Sequence, residues 1–268
     1  LYLTLGGTLG IIATFLLMQE LKIKKWITTI FLGVFLLIPA FNLRESVGLW
    51  ALYFLVLSIR NKSIKISFLA GIVAALSYLV SPDFGLFIIL VSTFHYSVFL
   101  LTSQKVKVDV IIFGGNVLGF LTVISSFLFW AFGQQWLNEY VLGTVDIITS
   151  ISGINVPNGV NFPSPLSVLS IGDFGMFGKF LIGHEMLLYW SVCIYFAAVF
   201  YIIVKFIQRR LGKEDYVFVL ISFFGLLVYT ILLTRHGAGH YFYTLPANLI
   251  VCAYFLNALL NVKKKEKV

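Results

Sequence analysis

The run VIIFGGNVLGFLTVISSFLFWAF, residues 110–132, carries no charged side chain. It exceeds the roughly 20 helical residues needed to cross a hydrocarbon core of about 30 Å. Lipid offers no hydrogen bonds to the backbone, so a segment of this kind satisfies its own amides by folding as a helix. Outward from it, apolar runs separated by polar clusters recur at 2–18, 26–41, 46–59, 66–80, 84–101, 186–207, 216–233 and 243–262. The runs from 26–41 through 84–101 are short, and flanking polar residues must snorkel or face other helices to complete them. The expectation is an all-α, polytopic transmembrane helical bundle of about nine transmembrane helices, forming one domain over 1–268.

Composition excludes the main alternatives. With 60% hydrophobic and 11% charged residues and a mean hydropathy of +0.99, no aqueous fold could hide the apolar surface. Phe (27) and Tyr (13) are abundant and Pro (6) is scarce, which favours long helices over the alternating strands of a membrane barrel. A formal charge of +8 would suit a nucleic-acid partner, but the cations sit in short clusters between apolar runs, so no nucleic acid is expected. Cys193 and Cys252 lie inside apolar runs without metal-ligand spacing and read as packing residues.

Alternate connections test the helix count. One set holds Lys22, Lys24, Lys25, Arg60, Lys62, Lys65, Lys105, Lys107, Lys205, Arg209, Arg210, Lys213 and the Lys263–Lys267 cluster, which leaves only Arg44, Lys179 and Arg235 in the other. A wrong count would scramble this partition. By the positive-inside rule the basic set is cytoplasmic, residue 1 is outside and the C-terminus is cytoplasmic. Acidic residues do not divide in this way: Glu20, Asp109, Glu214, Asp215 and Glu266 fall inside, the other six outside. The sequon Asn61-Lys62-Ser63 faces the cytoplasm on this topology and is set aside.

One outer connection is long, residues 133–185, between the sixth and seventh helices. Such a length suggests a functional segment or a lid. Trp136, Tyr140, Val141, Val145 and Ile148 recur at helical spacing, so 135–149 fits an amphipathic helix lying on the membrane. A turn-rich stretch, Gly153 to Gly159, follows, and 166–182 fits a second interfacial or re-entrant helix. The plainer reading is a loop resting on lipid headgroups.

The short outer connections bring charge to the membrane boundary, where it is a functional signal. Arg44 and Glu45 read either as an interfacial ion pair capping helix ends or as ligand contacts. Asp83 reads either as the N-cap of a helix starting at 84 or as a base, hydroxyl-binding group or cation ligand in a substrate cavity; a divalent cation is the one cofactor considered. Arg235, His236 and His240 place one permanent cation and two imidazoles within six residues, and Gly237 and Gly239 permit close backbone approach. That set suits phosphate. The i,i+4 histidines lack a nearby third ligand, so no metal site is assigned.

The run from Trp26 through Leu90, with Pro39, Arg44-Glu45, Gly71 to Leu76 and Ser81-Pro82-Asp83-Phe84-Gly85-Leu86-Phe87, resembles the middle of GT-C-type membrane glycosyltransferases. Protein O-mannosyltransferases and aminoarabinose transferases belong to this group. The stretch from Arg235 to His240, followed by Leu245-Pro246, is similar to an outer loop of its bacterial members. The resemblance implies a bacterial plasma-membrane transferase that passes a sugar from a polyprenyl-phosphate-linked donor to a glycan, lipid or protein acceptor on the outer face. Membrane lipid is a further partner. It also implies an essential acid in the first outer loop; the helix at 2–18 looks like a later one and the chain opens at Leu1 inside an apolar run, so it reads as an N-terminally truncated fragment lacking that acid. Asp83 is then the remaining catalytic candidate. An O-antigen polymerase or ligase, which also uses outer Arg and His residues, is the alternative enzyme. A transporter or scaffold is the non-enzymatic one, disfavoured by helix centres almost free of charge.

Overall fold

The computed structural model describes residues 2–37, 43–102, 106–133, 186–234 and 241–265, together with position 142. These residues are helical, with no strand among them. The elements are α1 (Tyr2–Glu20), α2 (Lys25–Leu37), α3 (Leu43–Asn61), α4 (Ile64–Val80), α5 (Pro82–Thr102), α6 (Val106–Phe132), α7 (Met186–Ile207), α8 (Lys213–Thr234), a 3-10 turn η1 (Tyr241–Thr244) and α9 (Leu245–Lys265). Each apolar run of the sequence is one helix, extended at its ends into polar residues. The expected interfacial helices at 135–149 and 166–182 lie outside the described residues.

Among the described residues, three helices are long and apolar enough to cross a membrane: Lys107–Ala131, Tyr189–Ile207 and Lys213–Ile231, in α6, α7 and α8. That corrects the count of nine on this criterion. The stretches Leu5–Glu20, Ile64–Val80, Pro82–Val98 and Leu245–Asn261 are apolar but shorter. At 1.5 Å per residue, the 13 residues of α2 reach only about 20 Å. In α3, Arg44 and Glu45 at one end and Arg60 at the other confine the apolar run to the middle of the helix.

Burial separates the three long helices. The α6 and α7 segments present large apolar side chains outward: Trp130 is 81% exposed, Phe196 72% and Phe200 69%. In water this would be unstable; against lipid chains it is neutral. By contrast α8 is central: Phe218, Leu220, Ile221 and Phe224 are buried in one apolar core that also holds Leu17 and Met18 of α1, Leu52 and Leu55 of α3, Ile88 of α5 and Ile250 of α9.

Helices α4 and α6 cross at backbone distance. A Cβ on Gly71 would sit 2.0 Å from the Asn116 carbonyl oxygen, and one on Gly119 would sit 2.1 Å from that of Phe68. Gly115 and Gly119 form a small-xxx-small pair, the pattern that lets membrane helices approach closely. Ser67 Oγ completes the joint by donating to the Ile112 carbonyl at 2.6 Å.

Helix ends follow local chemistry. Ser63 caps α4 by accepting from the Ile66 amide. Ser81 ends α4, and Pro82 opens α5 where its missing N–H costs nothing. On the basic side three connections turn through left-handed cations, Lys22 (φ 54), Lys62 (φ 48) and Arg209 (φ 52). At α1 and α7 the six-to-one bonds of a Schellman cap are present, Ile23 N to Met18 O at 3.1 Å and Arg210 N to Lys205 O at 2.9 Å.

Candidate functional site

The basic connections meet at one end of the bundle. Arg60 at the end of α3 pairs with Glu20 of α1, and Lys22 pairs with Glu214 at the start of α8. Lys62 lies 3.8 Å from Asp109 of α6. The Asn257 side chain of α9 accepts from the Lys24 amide at 3.3 Å and donates to the Lys22 carbonyl at 3.4 Å. Four separate connections and α9 are therefore tied together here.

Asp215 is the densest node at this end. It is 3% exposed and accepts from Lys205 Nζ at 2.7 Å, Tyr254 hydroxyl at 2.6 Å, Tyr201 hydroxyl at 3.4 Å and the Gly212 amide at 2.8 Å. Lys205 also stands 4.9 Å from the Tyr201 ring centroid. A buried carboxylate is tolerable because these donors replace its water. Nearby, the Nδ1 atom of buried His95 is hydrogen-bonded to the Tyr216 hydroxyl. None of these partnerships was read from the sequence, which recorded the acids only as failing to follow the basic partition.

Of the sequence-nominated residues, Arg44, Glu45 and Asp83 are described, at the helix ends opposite the basic connections. Arg44 and Glu45 occupy the first turn of α3, where Arg44 is exposed and Glu45 buried. They are not two surface charges side by side. Ser46 Oγ donates to the Gly6 carbonyl at 2.6 Å and Trp50 Nε1 to the Leu9 carbonyl at 3.1 Å, which fixes α3 on α1. Asp83 is half-buried. The expected start at 84 is corrected: α5 begins at Pro82, so Asp83 lies inside the first turn and the cap position falls to Ser81. Its carboxylate still sits at the positive end of the helix dipole.

Phe84 brings these elements together. A Cβ on Gly48 of α3 would be 3.1 Å from its ring, and the ring is 5.9 Å from Tyr243 of η1, 6.2 Å from Phe87 and 6.4 Å from Phe224 of α8. Arg235, His236 and His240 lie outside the described residues; of the elements flanking them, Phe224 in the middle of α8 and Tyr243 of η1 both contact the Phe84 ring. Beneath η1, Asn248 Nδ2 donates to Ser191 Oγ at 2.7 Å and lies 3.4 Å from Thr244 Oγ1. All three are fully or almost fully buried. The sequence offered one clue to this cluster, an amide inside the apolar run of α9.

Among the described residues no group of three His, Cys, Asp or Glu side chains could hold a metal. Cys193 and Cys252 are free, and Cys193 is exposed on α7 rather than packed. No family model, curated protein or solved structure matches the chain.

Proposed function

We propose that this chain is a multi-pass membrane glycosyltransferase whose outer end binds a polyprenyl-phosphate-linked sugar. The observation that carries the reading is the packing of Gly48 of α3, Phe224 of α8 and Tyr243 of η1 on the ring of Phe84, the residue that follows Asp83. A donor of this class needs a cation for its phosphate and acceptors for its sugar hydroxyls at headgroup depth. Arg235 supplies the planar fork, and Asp83 accepts from a hydroxyl. Nine membrane crossings, with the basic end cytoplasmic, accompany this reading.

The test is binding of a short-chain polyprenyl-phosphate sugar to the purified protein in nanodiscs. Arg235→Lys keeps the charge but loses the fork, and is expected to weaken binding by about tenfold. Asp83→Asn is expected to lower sugar selectivity while changing fold stability by less than about 1 kcal/mol. Unchanged donor affinity in Arg235→Ala refutes the assignment.

A further inference from the structure

A cavity of about 260 Å³ opens at the basic end between the ends of α1, α3 and α8. Ile59, Val217 and the Tyr216 ring give it apolar walls, while Arg60, Lys62 and Lys213 bring cations to it. Its two carboxylates are already engaged. Glu20 accepts from Arg60 Nη1, and Glu214 pairs with Lys22. Arg60 carries five N–H donors, and one bond to Glu20 leaves most of the fork for another acceptor. Lys213 enters no ion pair among the described residues, and it opens α8, whose helix dipole adds positive potential.

The surroundings point to an amphiphile. Lys213 is also the first residue of the membrane-crossing segment Lys213–Ile231, so the cavity lies where a lipid headgroup meets the hydrocarbon boundary. A second, larger cavity of about 920 Å³ shares Glu214 with the first and adds Lys22, Lys205 and Arg210. Lys22 and Lys205 are ion-paired there, while Arg210 enters no ion pair among the described residues and adds positive charge of the kind that concentrates anionic lipid.

We propose that the 260 Å³ cavity is a phosphate site filled by the headgroup of an anionic phospholipid, held by the Arg60 fork and the Lys213 ammonium. It lies at the end of the bundle opposite Asp83 and does not depend on the sugar-donor reading.

The purified chain in neutral detergent is titrated with dioctanoyl phosphatidylglycerol, dioctanoyl phosphatidylcholine and inorganic phosphate. Bound copies are counted by native mass spectrometry. Phosphatidylglycerol is expected to bind at least about tenfold more tightly than either competitor. Lys213→Gln and Arg60→Gln are each expected to weaken it by about tenfold, the effect of losing one charge-assisted phosphate contact. Lys65→Gln, exposed and outside the cavity, is expected to leave it unchanged. Because Arg60→Gln also breaks the pair with Glu20, Lys213→Gln decides: undiminished phosphatidylglycerol affinity in that variant overturns the site. Equal binding of phosphatidylcholine overturns the requirement for an anion, and equal affinity for inorganic phosphate overturns the lipid as occupant.

Discussion

The two ends of the bundle are built from different chemistry. At the basic end, Arg60–Glu20, Lys22–Glu214 and Lys62–Asp109 join segments that are distant in sequence, and Lys205–Asp215 joins the consecutive helices α7 and α8. At the other end, the contacts around Phe84 are aromatic, and Gly48 lets α3 approach its ring. Carboxylates at one end are thus engaged in holding helices together, whereas the joint at the other is made by aromatic rings and a glycine.

The largest effect expected on this contrast comes from Asp215→Ala, which leaves Lys205 and two tyrosine hydroxyls without their shared acceptor. Loss of one partner from such a buried network costs about 3 kcal/mol, read as a lower unfolding midpoint in detergent. A change below about 1 kcal/mol would mean that ion pairs do not hold the basic end. At the opposite end, Gly48→Val places new methyl groups against Phe84, whose ring is already within 3.1 Å of a Cβ there. Overpacking of this kind costs about 2 kcal/mol, and sugar-donor affinity is expected to fall with it. Asp215→Ala is expected to spare that affinity in the fraction that remains folded.

The smallest effect sharpens the role of the left-handed cations. Arg209→Gly removes a strain of about 1 kcal/mol but also a favourable charge at the end of α7, worth about 0.3–1 kcal/mol. The two nearly cancel at low salt. Because salt screens only the second, the glycine variant is expected to gain stability relative to the parent as ionic strength rises. A difference independent of salt would show that Arg209 contributes no electrostatic stabilisation there.

The sequence made the helices legible because nine apolar runs are separated by charge, and the described helices overlie all of them. It overstated how many meet the length and composition for crossing a membrane. Three do, since packing inside a bundle lets a short helix such as α2 exist without spanning lipid unaided. The gathering of Lys and Arg was legible from alternation alone. Partner choice was not: nothing along the chain says that Glu20 meets Arg60 or that Asp215 meets Tyr254, because both depend on which helices become neighbours. Asp83 was misplaced by a small margin, since Pro82 opens α5 two positions earlier than the charge suggested. Asn248 was overlooked because one amide barely alters an apolar run, although burying it requires partners.

Asn257 reaches back to Lys22 and Lys24 across 235 and 233 positions of chain, and this separation imposes an order on biosynthesis. While the ribosome is still working through α2 to α8, the start of the chain already sits in the bilayer with its last neighbour not yet translated. Local hairpins such as α4–α5 can close at once; the seam between the α1–α2 connection and α9 closes only after Asn257 has been made. A stop codon ahead of Asn257 would therefore leave that connection unsealed, a natural target for quality control.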